Sequence, residues 1–284
     1  MTALGWVSAR TLDEALARLA DDPALTPIAG GTDVMVAARM GGLREGRLLD
    51  LWRLDELRGA EVARDSLLLG ALTTYTEIVT HRAIATRWPL LAAAARVSGA
   101  WAIRNRGTLG GNVANASPAA DTPPALLAYG ARLELRSARG ARWVDYRSFH
   151  TGYRRTLRAP DELITRIAVP APPGDAVHFY RKVGARRAQA ISKVCFAATA
   201  ARRDGALADV RLALGSVAPT VVSARRTAAW LEGRRPAAVD RAEARALLES
   251  EIAPIDDLRS TAGYRRRVAG NLLEQFLADA AERP

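Results

Sequence analysis

Two glycine-centred segments, Ala29-Gly30-Gly31-Thr32-Asp33 and Thr108-Leu109-Gly110-Gly111-Asn112, stand where apolar stretches end. A Gly-Gly step lets the backbone approach a ligand closely and turn its N–H groups outward, and the flanking Thr, Asp and Asn add short hydrogen-bonding side chains. A pair of such segments, separated by enough chain to fold back, can clamp an extended polyphosphate cofactor from two sides. An ordinary turn between strand and helix would use glycine at the first segment for its backbone angles alone. The second is followed by Val113-Ala114-Asn115-Ala116-Ser117-Pro118-Ala119-Ala120-Asp121-Thr122-Pro123-Pro124, in which small and hydroxyl- or amide-bearing residues alternate without helical or strand periodicity. A loop of that kind must satisfy its backbone polar groups elsewhere, and a ligand is one such place.

The other reactive residue types are sparse. Cys195 is the single cysteine and sits in the apolar run Val194-Cys195-Phe196-Ala197-Ala198, the setting of a core residue. One thiol excludes internal disulfides, iron–sulfur clusters and Cys-rich zinc sites held by this chain alone. His81, His150 and His178 lack metal-ligand spacing, so no metal site and no catalytic residue are assigned. Only two lysines occur among 41 basic residues, Lys182 and Lys193, both in the segment from Tyr180 to Val194.

The elements that must position these residues read as follows. Thr11 to Ala20 is a helix capped by Thr11 with Glu14 three residues on. Thr26 to Ala29 is a strand entering the first glycine segment, Val34 to Met40 a short helix, and Leu48 to Leu51 a second strand. Ser66 to Ala71 is a strand, Thr73 to His81 a helix, and Leu90 to Ser98 an alanine-rich helix. Arg132 to Leu135 and Leu163 to Val169 are strands around a hairpin-like stretch at Arg139-Gly140. Ala171-Pro172-Pro173-Gly174-Asp175 is the linker, because two prolines and a glycine end any regular element. Beyond it, Val177 to Val183, Val194 to Ala201 and Leu207 to Gly215 form a small antiparallel sheet, with a turn at Asp204-Gly205. Helices follow at Ala224 to Gly233, Arg241 to Ser250 and Tyr264 to Ala280.

At 284 residues and 49% apolar the chain can bury a normal core in two or three lobes. Charged residues break every apolar run before the roughly 20 residues needed to span a bilayer. The opening Met-Thr-Ala-Leu-Gly-Trp carries no basic region followed by an apolar stretch, so cytoplasm is the expected compartment. The formal charge of +11 admits nucleic acid, but the basic residues are dispersed arginines in an Ala- and Arg-rich background, and an acidic protein partner or an anionic ligand fits the same charge.

With these motifs on the page, the chain resembles the FAD-binding subunit of the molybdenum hydroxylases, the xanthine dehydrogenase and carbon monoxide dehydrogenase family. The resemblance spans nearly the whole sequence: both glycine segments with Leu127 after the second, Leu69-Gly70-Ala71, Asp161-Glu162-Leu163-Ile164, the lysine-bearing segment, and Leu258-Arg259-Ser260 to Tyr264-Arg265. It implies an α+β fold: an FAD-binding lobe of the p-cresol methylhydroxylase or vanillyl-alcohol oxidase type over residues 1–174, in subdomains of about 1–58 and 59–174, followed by a C-terminal lobe of antiparallel sheet plus helices over 175–284.

Carried over position by position, the resemblance places Ile28, Ala29, Gly30, Gly31, Thr32 and Asp33 with Thr108, Leu109, Gly110, Gly111 and Asn112 around the FAD pyrophosphate. Ser117 and Asp121 add polar contacts, Ile164 packs on the cofactor, and Lys182 reaches the flavin ring. An ammonium there favours the anionic reduced flavin and so tunes its potential. Molybdopterin and [2Fe-2S] clusters are implied on a large and a small partner subunit, with electrons leaving the FAD for NAD+ or another acceptor. Arg186 to Val194 is closest to the purine-oxidising branch. Ser98 departs from the pattern, being small where some xanthine dehydrogenases cover the flavin with an aromatic residue. A self-contained flavoenzyme similar to UDP-N-acetylenolpyruvoylglucosamine reductase, and a non-redox binding module, are the alternatives.

Overall fold

The computed structural model describes residues 5–41, 46–186 and 189–282. Arg187 and Ala188 of the lysine-bearing segment, and Met1 to Leu4 of the opening stretch, lie outside the described residues.

A three-stranded parallel sheet comes first. It is built from β1 (Gly5–Ser8), β2 (Thr26–Ile28) and β3 (Arg47–Asp50), with β3 central and pairing Gly5 to Arg47 on one side and Thr26 to Leu48 on the other. Helix α1 (Leu12–Asp21) crosses between β1 and β2. Its start is capped by the Thr11 hydroxyl, which accepts the Glu14 N–H, while the Glu14 carboxylate accepts from Arg10 N. Leu12, Ala15, Leu16 and Leu19 of its apolar face are buried. A short helix, α2 (Val34–Arg39), follows the first glycine segment and buries none of its residues. A helix that covers no core is available to cover something else.

The second layer is a five-stranded antiparallel sheet in the order β4 (Ala60–Val62), β5 (Ser66–Gly70), β10 (Leu163–Pro170), β6 (Arg132–Ser137), β7 (Gly140–Asp145). Between β5 and β6 the chain forms α3 (Tyr75–Thr80), α4 (Arg82–Arg87), α5 (Pro89–Val97), α6 (Trp101–Arg106), α7 (Leu109–Asn115) and α8 (Pro123–Tyr129). The hairpin β6 (Arg132–Ser137) to β7 (Gly140–Asp145), short α9 (Tyr146–Phe149) and the pair β8 (His150–Gly152) and β9 (Arg155–Thr156) lead to β10 (Leu163–Pro170) in the middle of the sheet.

The third layer is the antiparallel sheet β11 (Val177–Val183), β12 (Val194–Arg203), β13 (Ala206–Gly215) and β14 (Val222–Ser223), with α10 (Arg225–Leu231), α11 (Arg241–Glu249) and α12 (Ala262–Glu282) after it. Alternation along the strands explains its two faces. Val177, Phe179, Phe196, Ala198, Leu212 and Leu214 pack with Leu273, Phe276 and Leu277 of α12. The opposite parity, Cys195, Ala197 and Ala213, is small, and α8 lies against it. With both faces covered, Val194 to Ala201 is buried throughout, which is why the sequence there is one continuous apolar run.

One expectation is corrected. The stretch after Thr108 is not an aperiodic loop at its start: α7 runs from Leu109 to Asn115, with the Thr108 hydroxyl accepting the Gly111 N–H. Its two glycines disfavour a helix, but burial of Leu109, Gly110 and Val113 outweighs their propensity. Strand β1 and helices α4 and α6 carried too few buried residues to mark themselves in the sequence.

Candidate flavin-binding cavity

Both glycine segments open onto one cavity of about 620 Å³ between the first two layers. The first lies at the end of β2, and its approach to the second is close. A Cβ at Gly30 would stand 1.6 Å from the carbonyl oxygen of Arg106 and 2.4 Å from its carbon, so only glycine allows the two backbones to meet there. Gly31, at φ +75°, makes the turn that leads into α2. Arg106 is itself stacked over Trp52, 3.7 Å from the ring centroid, which fixes the far side of the junction.

The two segments divide the hydrogen-bonding work unequally. In the first turn of α7 the N–H groups are already satisfied: Leu109 donates to Thr73 O, Gly110 to Ala71 O and Gly111 to Thr108 Oγ1. Gly110 is wedged against Ala71, whose Cβ would be 2.6 Å from an added methyl group, whereas Gly111 turns towards the cavity and meets only Thr108 Oγ1 at 2.8 Å. In the first segment, by contrast, the N–H groups of Gly30, Gly31, Thr32 and Asp33 have no protein acceptor among the described residues. The free donors belong to residues 30–33, and the second segment contributes a smooth wall and side chains. Asn112 accepts the Thr122 hydroxyl at Oδ1, 2.6 Å away, which leaves its NH2 to donate.

Of the residues expected from sequence, Ala29, Gly30, Gly31, Thr32, Asp33, Thr108, Gly110, Gly111, Asn112 and Ile164 line this cavity. Ile28 and Leu109 are buried beneath it as core. Ser117, Asp121 and Lys182 lie outside its lining. Lys182 shares the β11 parity of His178 and Tyr180, facing the second layer, and its Nζ donates to Asp121 Oδ2 at 2.6 Å and Val97 O at 3.0 Å. Asp121 also accepts from Ser192 Oγ at 2.6 Å, and its backbone oxygen accepts from Tyr180 OH. Burial pushes the Asp121 carboxyl up, and the Lys182 ammonium and Ser192 hydroxyl oppose that push. Cys195, fully buried beside this group, has its thiol raised by the same desolvation.

The cavity also holds residues that sequence reasoning missed. Val36, Ala37 and Met40 form an apolar wall from α2, Leu51, Leu57 and Leu72 another, and Tyr75, Arg154 and Arg158 add polar groups. Burial raises the Asp33 carboxyl and Arg154 counters it. The buried Tyr75 phenol is raised by desolvation and by the nearby Asp33 and Asp121 charges, so it stays protonated. Arg158 is held by three carbonyls, those of Ala159, Pro160 and Glu162. Neither arginine could be singled out in so arginine-rich a chain. The exposure of Met35 and Val36 on a helix that buries none of its residues, and of Met40 just after it, had no sequence signal either.

A cavity of about 620 Å³ with apolar walls, a cluster of free backbone donors and a glycine-smoothed side has the make-up of a pocket for a partly anionic small molecule. The sequence model for the family described as FAD binding domain in molybdopterin dehydrogenase matches residues 2–172, and that for the CO dehydrogenase flavoprotein C-terminal domain matches residues 179–280. The chain belongs to this family of FAD-binding subunits of molybdenum-containing hydroxylases. It is 32% identical over 279 residues to the xanthine dehydrogenase FAD-binding subunit of Escherichia coli O157:H7, covering 96% of this chain and 94% of the relative. It is equally 32% identical over 276 residues to the glyceraldehyde dehydrogenase medium chain of Sulfolobus acidocaldarius, covering 97% and 98%. Among solved structures, a chain of the Cu,Mo-CO dehydrogenase in its cyanide-inactivated form superposes with a TM-score of 0.94 at 27% identity, over the full length of both chains. The α+β fold expected from the sequence is therefore the one found. No described helix is long and apolar enough to cross a membrane.

Proposed function

We propose that the cavity between the glycine segments seats the FAD diphosphate, and that this chain carries electrons from iron–sulfur clusters on a small partner subunit to NAD+ or another acceptor. A large partner subunit bearing molybdopterin oxidises the substrate, which we take to be a purine such as xanthine. The observation that carries this reading is the set of N–H groups at Gly30, Gly31, Thr32 and Asp33 that have no protein acceptor among the described residues, on residues that line the same cavity as Gly111. An anion satisfies such donors without displacing any protein acceptor. FAD, when bound, supplies the exchange between single-electron and hydride chemistry that links clusters to a nicotinamide.

The chain's own residues bind and orient. Residues 30–33 donate to the diphosphate, while Thr32, Asn112 and Asn115 offer side-chain contacts. Ile28 and Leu109 hold the two segments from beneath, and Ile164 with the α2 wall excludes water. Ser117 and Asp121 lie on the path from α7 to α8, and Asp121 fixes the ammonium of Lys182 for the ring of the cofactor. The division of the chain at residues 174 and 175, with subdomains meeting near 58 and 59, follows from the same assignment and places Lys182 on the C-terminal lobe. A purine is favoured by the lysine-bearing segment, and the 32% identity to a xanthine dehydrogenase subunit is matched by that to a glyceraldehyde dehydrogenase chain.

Co-expression with candidate molybdenum- and iron–sulfur-bearing partner chains tests the reading. The expected result is a complex that contains FAD and whose flavin absorbance bleaches when xanthine is added and recovers with NAD+. Bleaching by an aldehyde but never by a purine would remove the substrate assignment. A complex that releases no FAD when denatured would remove the FAD site.

A further inference from the structure

We infer that a second cleft, remote from the flavin cavity, is the docking site for an acidic segment of a partner subunit. The inference rests on the subunit reading above. The cleft, of about 920 Å³, opens where the second and third layers meet, between the end of α8, the start of α9, β13 and α10.

Four arginines line it: Arg147, Arg211, Arg225 and Arg226. All four are exposed, and none of their guanidinium groups has a carboxylate or carbonyl partner among the described residues. The lining also carries two carboxylates, neither of them paired with these arginines. Asp145 stands 3.6 Å from Arg132 Nε, and Glu232 accepts the Val210 N–H at 2.6 Å. Some arginines of this protein do pair with acids, as Arg142 does with Glu162 and Arg245 with Glu274, and none of these four is among them. The Arg211 guanidinium lies over the end of α8, where Gly130 stands at φ +69° and a Cβ would be 2.5 Å from Nη1.

The cleft is not part of the flavin site. Strand β10 reaches the flavin cavity through Leu163 and Ile164 and the cleft through Pro170, so the two openings lie at opposite ends of one strand. At the usual rise per residue that separates them by roughly 20 Å. Its chemistry also selects the occupant. No aromatic ring lines it, so a nucleotide base has nothing to stack on, and it presents no run of free backbone N–H groups like that at residues 30–33. What it presents is guanidinium forks on three separate elements around an open, partly aliphatic floor. Planar forks match carboxylates two bonds at a time, and their spread fits successive Asp and Glu side chains of one extended segment. A chain of net charge +11 meets an acidic partner surface with complementary sign.

The test uses the assembled complex. Amide hydrogen exchange of the free chain is compared with that of the chain bound to its molybdenum and iron–sulfur partners, and protection is expected over residues 145–147, 209–212 and 223–232. The double variant Arg211→Glu/Arg226→Glu is expected to bind the partners about tenfold more weakly at low salt, the difference shrinking as salt is raised, with flavin content unchanged. A complex that forms with the cleft exchanging as freely as before overturns the inference and leaves the subunit reading intact. Failure of the wild-type chains to assemble overturns both. Protection of the cleft by a short single-stranded oligonucleotide, but not by assembly, assigns it to nucleic acid and overturns the inference.

Discussion

Replacing Gly30 by alanine adds one methyl group at the junction on which the cavity depends. That carbon would sit 1.6 Å from Arg106 O, and ordinary contact begins near 3.4 Å, so about 1.8 Å of relative movement is required. Neither side yields easily. The obstruction is backbone, and the neighbouring peptide is pinned by Gly107 N donating to Ile103 O, by Gly107 O accepting from Tyr75 N, and by Arg106 on Trp52. Overpacking of this kind costs about 1–3 kcal/mol. Because the strain is relieved by opening the seam that the cofactor bridges, most of that cost should appear in binding, about a 30-fold rise in the FAD Kd for 2 kcal/mol.

Titration of the flavin-free chain with FAD, followed by flavin fluorescence, measures the effect, and a thermal melt measures the accompanying loss of stability. Gly174→Ala is the control, since its added methyl group meets nothing within 4 Å. Gly111→Ala separates binding from packing. It disturbs chiefly the Thr108 cap, worth about 1 kcal/mol, yet projects into the cavity, so affinity should fall with a smaller drop in Tm than at Gly30. A Gly30→Ala protein whose FAD affinity stays within about twofold of the parent would refute the reasoning, because it would mean that the two segments need not touch for the cofactor to bind.

Charge at the third layer gives a second test: Lys182→Met should lower the flavin reduction potential and Asp121→Asn should raise it, opposite shifts that spectroelectrochemical titration would read and that a purely structural role would not produce. Glu162 gives the acid response. The Arg142 guanidinium, bound bidentately at 2.7 and 2.9 Å, holds its carboxyl below the usual range. A lowered folded pKa contributes stability that is complete above the unfolded value and disappears as pH falls through the folded one. Glu162→Gln should therefore cost about 1–2 kcal/mol at neutral pH, and the two melting curves should converge in acid below the carboxylate range; a constant gap would count against it.

The sequence exposed elements wherever one principle dominated. Thr11 announced a helix start by its capping side chain, whereas the full capping box of Thr74 with Glu77 emerged only in the structure. The Asp204-Gly205 turn and the Pro-rich linker were legible from turn chemistry. Residues 109–115 were not, because their helix is held by packing against Ala71 and Thr73 rather than by propensity. The same limit hid half of the cavity. Gly30 and Gly111 could be picked out by type, but Tyr75, Arg154 and the α2 wall matter only through tertiary placement. The expectation that both segments offer their N–H groups changed for a local reason, since forming α7 spends those of the second.

The knot of Asp121, Lys182, Ser192 and Tyr180 has a bearing on the architecture as a whole. Its acid comes from the middle layer and its donors from the last, at a depth where breaking such a pair by removing one member costs about 3–5 kcal/mol. A gene fragment ending at the proline linker would expose a solitary anion on a raw apolar face, and one beginning there would strand the matching cation. Shuffling of these halves among related enzymes is thus constrained to exchange them together, and engineered chimaeras should be cut elsewhere.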